Sequence, residues 1–201
     1  IYGNASSIHS FGQEAIRGVD VARERVAKFL NCKVSEVVFT SGATESDNLA
    51  IKGFVQAYRK LTKDPIHIIT SIVEHDAILS PCAELASESV EITHLPVDKS
   101  GIVKIDAFEK ALKDDTALVS IMYANSELGS IQPIRKIAKT IMKINEKRLR
   151  DWKKLRVSER GEKPKKIYFH TDATQAVNFC NCDVDWNYID MLSMSAHKIY
   201  G

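Results

Sequence analysis

The chain has 201 residues, 44% of them hydrophobic and 27% charged, with a formal net charge of +2. That is enough chain for one sizeable core and too balanced a composition for disorder, so it reads as one globular α/β domain. No apolar run approaches the length needed to span a bilayer and no opening segment has signal-peptide character, which argues against a membrane-embedded protein. The sequence starts at Ile1 and stops three residues after Lys198, so both termini read as cuts that could have removed a targeting segment.

From Ser10 to Leu30, after a candidate serine cap, Ile16, Val19, Val26 and Phe29 recur at helical steps, which predicts an amphipathic helix. Glu36-Val37-Val38-Phe39-Thr40 is β-rich and predicts a strand, followed by a Ser41-Gly42 turn and a helix from about Ala43 to Tyr58. Further strands are predicted over Ile66–Thr70, Val90–Leu95, Ala117–Tyr123, Ile167–Thr171 and Tyr188–Met194. Helices near Ala77–Ser87, Asp106–Lys113 and Pro133–Leu149 separate several of them. Strands alternating with helices imply an α/β, three-layer sandwich, because parallel neighbours need a crossover and a mostly parallel sheet needs both faces covered. In such sheets ligands sit beyond the carboxyl ends of the strands, so the polar residues just after each apolar run are the candidates.

The turn Thr40-Ser41-Gly42-Ala43-Thr44-Glu45-Ser46 joins strand to helix and offers backbone N–H groups to an anion, with Gly42 allowing close approach. It reads equally as an ordinary βα turn in which Thr44 caps toward Asp47. It is not a P-loop, and no Gly-x-Gly-x-x-Gly occurs anywhere in the chain. His75 follows Ser71-Ile72-Val73-Glu74 and could stack on a ring or move a proton, although a lone histidine is more often structural. Asn125 follows another strand in a glycine-containing turn, where asparagine is usually turn chemistry. Asp172 ends an apolar run and needs a positive partner or water; a protonated pyridine nitrogen would serve, and Gln175 could reach a neighbouring ring oxygen. Taken alone, that segment is better read as a helix cap. Finally, Ser195-Ala196-His197-Lys198 closes an apolar run. A lysine among apolar and cationic neighbours has a lowered pKa and can bond to an aldehyde, and the hydroxyl and imidazole beside it can hold a phosphate. Together the strand ends supply an anion cradle, a stacking base, an amide, a carboxylate and a lysine, which is a complete inventory for pyridoxal 5′-phosphate.

Between Arg135 and Lys166 stand fourteen Lys or Arg against four Asp or Glu, a local excess of ten that leaves the remainder near −8. The lysines fall between the apolar positions of the predicted helix, on its wet face, and Glu146 to Lys166 is expected to leave the core as a basic surface insertion. No nucleic-acid reading motif accompanies it. Cys32, Cys82, Cys180 and Cys182 are too few and scattered for a disulfide framework, which fits a reducing compartment. Cys180-Asn181-Cys182 lacks a second ligand pair, so no metal site is expected.

Thr40–Ile51, Glu74-His75, Val119–Gly129, His170–Gln175 and Ser195–Gly201, in this order, resemble the cysteine desulfurases of the class V aminotransferase group, over nearly the whole chain. The resemblance implies the large domain of the pyridoxal-phosphate aminotransferase fold, truncated, over residues 1–201. It implies Lys198 as the Schiff-base lysine, Asp172 on the pyridine nitrogen and Gln175 on the phenolic oxygen. Thr44, Ser195 and His197 would hold the phosphate with the Ala43 backbone, His75 would stack and act as acid or base, and Asn125 would join the cofactor site. It further implies L-cysteine as substrate, L-alanine and an enzyme persulfide as products, a homodimer, and a sulfur acceptor or scaffold protein, in mitochondria for a eukaryote and in the cytoplasm otherwise. No membrane or nucleic-acid partner is implied.

Three departures are visible. Asn4-Ala5-Ser6-Ser7 replaces the family's usual Asn-Pro-Ser-Ser, Ser126 stands where a second asparagine is common, and the segment after Glu146 is longer than in bacterial relatives. The family's persulfide cysteine lies far beyond the Schiff-base lysine, so none of the four cysteines here is expected to carry sulfur. A selenocysteine lyase or another class V enzyme would share these cofactor residues, and a non-catalytic scaffold could retain the fold.

Overall fold

The computed structural model describes residues 3–161 and 163–200. Ile1, Tyr2, Glu162 within the basic segment and Gly201 at the end of the last motif lie outside the described residues. The chain divides into two compact units, one reaching to Phe39 and including Cys182–Trp186, the other comprising Thr40–Asn181 and the chain from Asn187.

The first unit is built on α1 (Ser10–Leu30). Its N-cap is His9, not the expected serine, and the imidazole accepts the Gly12 N–H at 3.3 Å. At the other end Asn31 turns left-handed at φ 55°, a conformation asparagine tolerates, and donates through Nδ2 to the Asp183 carboxylate at 3.1 Å. The helix buries Gly12, Ala27 and Leu30, whereas Phe29 of the expected apolar stripe is exposed.

The expected strand at 36–40 does not form. Val34–Glu36 is a single 3₁₀ turn, and Val37 to Thr40 pairs with no strand among the described residues. Val38 is 67% exposed. β-rich composition favours an extended backbone but cannot supply the second strand that a ladder requires.

The second unit opens with a continuous helical stretch, α2 (Ala43–Asn48) running through a π turn at Leu49–Gly53 into α3 (Phe54–Leu61). Then come β1 (His67–Ser71), α4 (Asp76–Ser87), β2 (Glu91–Leu95), α5 (Ile105–Ala111), β3 (Thr116–Ser120), α6 (Ile134–Lys154), β4 (Tyr168–Asp172), α7 (Val184–Asn187, shared with the first unit) and β5 (Met191–Ser193). The five strands form one sheet in the order β2-β1-β3-β4-β5, and every pairing is parallel. Every residue of β1 and β3 is buried, as expected for parallel strands covered on both faces. One layer packs Ile51, Val55 and Ile78 from the helices against Ile68 and Leu118 of the sheet. Each such fully buried side chain contributes about 1.5–3 kcal/mol of hydrophobic stabilisation.

α6 runs five residues past the expected end, so the first part of the basic segment is helical. Its far end is tied back: Arg148 donates to the carbonyls of Lys113, Asp114 and Lys165, and Trp152 Nε1 donates to Gly161 O at 3.1 Å. Among the described residues no helix is long and apolar enough to cross a membrane.

Candidate functional site

Because all five strands point the same way, their carboxyl ends share one edge of the sheet. The register is tight there: Ser120 pairs with His170, Asp172 pairs with Ser193, and the Tyr123 N–H donates to Asp172 O at 2.8 Å. His75 follows β1 by four residues, Asn125 follows β3 by five, Asp172 ends β4, and Ser195, His197 and Lys198 follow β5. Parallel pairing thus gathers residues spread over more than 120 positions of sequence.

Ala43 and Thr44 open α2, whose first N–H groups have no intrahelical acceptor. Thr44 does not cap toward Asp47; the turn is closed instead by the Ser41 N–H donating to Glu45 Oε2 at 2.6 Å. A Cβ placed on Gly42 would meet nothing within 4 Å, so the backbone there is open to an approaching anion.

His75 is the N-cap of α4, exposed, and its Nδ1 accepts the Ala77 N–H at 3.1 Å. That bond commits Nδ1 to the backbone at the start of α4. Asn125 is already occupied: Oδ1 accepts the N–H groups of Glu127 at 2.9 Å and Leu128 at 2.8 Å, and Nδ2 donates to Val73 O at 2.9 Å. Its side chain ties the turn after β3 to the loop carrying His75.

Asp172 is 7% exposed, accepts the Thr174 N–H at 2.9 Å, and forms no ion pair among the described residues. The next turn, closed by the Ala176 N–H on Ala173 O, carries the half-buried Gln175. Ser195 is buried, with Oγ 2.6 Å from His197 Nδ1. The apolar surroundings expected for Lys198 are not observed. It is exposed on the 3₁₀ turn Ala196–Lys198, which carries the chain out of the sheet immediately after the buried Ser195.

A buried carboxylate without a cation is costly, so Asp172 fits a ligand bearing a protonated ring nitrogen. The open backbone at Gly42 and the Ser195–His197 pair fit an anionic group such as a phosphate. The donor set therefore suits a cofactor that combines both features.

An aminotransferase class-V family model matches residues 1–149 and 156–201. The chain belongs to the class-V aminotransferase family. Over 200 residues this class-V chain is 46% identical to a cysteine desulfurase IscS of Dictyoglomus turgidum, covering all of the chain and 45% of that relative. It is 44% identical to a cysteine desulfurase IscS of Methanosarcina thermophila, again over the whole chain and 44% of the relative. Among solved structures, a NifS-like protein superposes with a TM-score of 0.84 at 36% identity, over the whole chain and 49% of that protein. SspA in complex with cysteine superposes at 0.82 and 37% identity, over the whole chain and 51% of SspA. The class-V chain thus spans about half the length of its relatives.

Sequence reasoning missed the polar floor beneath this class-V site. His170 is fully buried, its Nδ1 2.9 Å from Ser120 Oγ and its Nε2 3.0 Å from Ser193 Oγ and 3.7 Å from Asp47 Oδ1. Neither oxygen of the buried Asp47 has a hydrogen-bond partner among the described residues. Burial, then the neighbouring Asp172 charge, raises Asp47 to about 7, partly offset by Ser193. Glu74, which accepts from Ser71 Oγ and the Met122 N–H, is pushed up to about 8, chiefly by burial. Two signals were available. His170 and Asp172 stand two apart on one strand and so share a face, and Asp47 lies one helical turn from Thr44.

Proposed function

We propose that this chain is the cofactor-bearing large domain of a pyridoxal 5′-phosphate-dependent cysteine desulfurase, which takes sulfur from L-cysteine and leaves L-alanine. The observation that carries this reading is Asp172, a buried carboxyl group with no ion pair among the described residues, set in register with Ser193 at the carboxyl edge of a parallel sheet. The names of the IscS and NifS-like relatives support the reaction class.

When bound, pyridoxal phosphate supplies an aldehyde that an amine can hold covalently and a ring that takes up electrons. Lys198, exposed on the turn after β5, would be the amine that holds the aldehyde and would move protons beside it. Asp172 would keep the ring nitrogen protonated, and Gln175 would donate to the phenolic oxygen. Ala43, Thr44, Ser195 and His197 would hold the phosphate. His75 would cover the ring face and serve as acid or base through Nε2, since Nδ1 is engaged by α4. Asn125 acts by fixing the His75 loop.

The reading takes the persulfide-forming thiol to be none of Cys32, Cys82, Cys180 and Cys182. Burial raises the thiols of Cys32, Cys82 and Cys180, with Cys82 at about 12, so little thiolate is available from them. The reading carries with it a homodimer, a sulfur acceptor or scaffold protein serving iron-sulfur cluster assembly or other sulfur transfer, and a cytoplasmic location in a prokaryote or a mitochondrial one in a eukaryote. It also takes residues 146–166 as a basic surface insertion on the large domain.

Full-length protein loaded with pyridoxal phosphate and reduced with borohydride should yield one adduct, which peptide mass mapping places on Lys198. Alanine and persulfide should form from cysteine in stoichiometric amounts before reduction and not after it. An adduct on another lysine, or an unchanged adduct yield in Lys198→Ala, would overturn the assignment.

A further inference from the structure

α6 buries one face through Ile134, Ile137, Ala138 and Ile141. On the opposite face stand Lys136, Lys139, Lys143, Lys147, Arg150 and Lys154, at steps of three and four residues. At 3.6 residues per turn they occupy a stripe only about 80° wide and about 27 Å long, with one cation roughly every 5 Å. All but Lys139 are exposed. Among the described residues only Lys154 has an ion pair, with Asp151 at 3.8 Å. Glu146 and Asp151 lie at the margins of the stripe, not within it.

Like charges three or four apart on a helix repel, and an acid between them would normally relieve this. Here nothing in the stripe does so, while the rest of the chain is net acidic. Arg150 and Lys154 fall in residues 150–155, between the two segments that the family model matches, so the outer end of the stripe is an addition to the family framework. We infer that the outward face of α6 is a docking surface for an acidic helical segment of a partner protein.

The pitch decides for a helix: carboxylates placed once per turn on a partner repeat at the same spacing as these cations. Nucleic acid fits less well. Five of the six cations are lysine, which binds phosphate as a point charge without the two-pronged geometry of arginine. The stripe holds no aromatic side chain for base stacking, since Trp152 falls on the opposite side of the helix. The inference is independent of the proposed reaction, and cysteine turnover is not its readout.

The test uses full-length protein and fluorescence anisotropy with four probes. These are a helical peptide with glutamates in a 3-4-4-3-4 stripe, a peptide of equal composition with the glutamates scattered, a short RNA duplex, and phosphatidylserine vesicles. The striped peptide should bind about tenfold or more tightly than the scattered one, and added salt should weaken it. The variant Lys139→Gln/Lys143→Gln/Lys147→Gln/Arg150→Gln, checked for unchanged circular dichroism, should lose about tenfold or more, while Lys33→Gln/Lys63→Gln/Lys104→Gln/Lys110→Gln should bind as the unmodified protein does. Equal binding of the two peptides, unaltered binding by the stripe variant, or tighter binding of RNA or vesicles would each overturn the inference.

Discussion

His170 Nε2 lies 3.7 Å from Asp47 Oδ1 with both side chains closed to water, yet the two are not an ion pair. Burial drives His170 down to about 3, while burial and the Asp172 charge drive Asp47 up to about 7. Between those two values the proton therefore sits on the carboxyl and the imidazole is neutral. The folded Asp47 keeps its proton to a higher pH than an unfolded aspartate near 3.8, so stability is lost as pH rises through that interval. His170 works in the opposite sense: its folded pKa lies below the unfolded 6.5, so it costs stability as pH falls from there. Asp47→Asn is expected to stabilise the cofactor-free protein by roughly 2–4 kcal/mol at pH 8 and by little at pH 4. Urea unfolding at the two pH values checks this, and an equal gain at both would remove the titration from the explanation.

The charge of Asp172 is one reason Asp47 holds its proton. In Asp172→Asn the pH transition of stability assigned to Asp47 should move to lower pH. On the proposed function, sulfur release by the full-length protein should also fall about a hundredfold or more in this variant, because a ring nitrogen held there would lose its counter-charge. A pH transition that stays in place while activity falls would separate the two carboxylates.

Asn125 spends its amide on the backbone of Val73, Glu127 and Leu128. Asn125→Ala should therefore cost about 1–3 kcal/mol of stability. Asn125→Asp, which keeps the two accepted bonds, should cost less. Thermal unfolding with and without cofactor distinguishes the roles: a residue that only holds the turn gives the same loss in both.

The thiols of Cys32, Cys82 and Cys180 are raised by burial, Cys82 to about 12. At pH 8 iodoacetamide should label Cys82 only after unfolding. On the proposed function, Cys32→Ser and Cys180→Ser should retain sulfur release within about twofold, since neither thiol is taken as the sulfur carrier. Loss of turnover in either would place a sulfur carrier in this part of the protein.

Ile68 is fully buried in β1, whereas Val38 is 67% exposed in the segment that forms no ladder. Ile68→Ala is expected to cost about 2–5 kcal/mol. Val38→Ala should stay within about 0.5 kcal/mol in this chain. Denaturant midpoints of the two variants compare the sites directly.

The alternation of strands and helices was readable because each element is announced by its neighbours in sequence. Tyr168-Phe169-His170-Thr171 is an apolar run that ends in a carboxylate, and it became β4 nearly within its expected bounds. The positions of candidate residues were readable for a related reason: a parallel sheet collects whatever follows its strands, so His75, Asp172 and Lys198 could be placed at its carboxyl edge from sequence order alone. Other features depended on distant parts of the chain. Val37 to Thr40 has the composition of a strand, but a ladder needs hydrogen-bonding groups from a second segment, which local sequence cannot supply. Asp47 sits in a polar helical run that reads as solvated, and only the packing of α2 over β4 and β5 removes its water and places Asp172 and His170 beside it. The exposure of Lys198 was settled in the same way, by the turn after Ser195. The sequence by itself determined the order of most elements and the residue types at their ends, because these follow from short-range periodicity and composition. Tertiary structure alone decided which strand found a partner and which charges lost their water, because pairing and desolvation are properties of segments brought together from far apart.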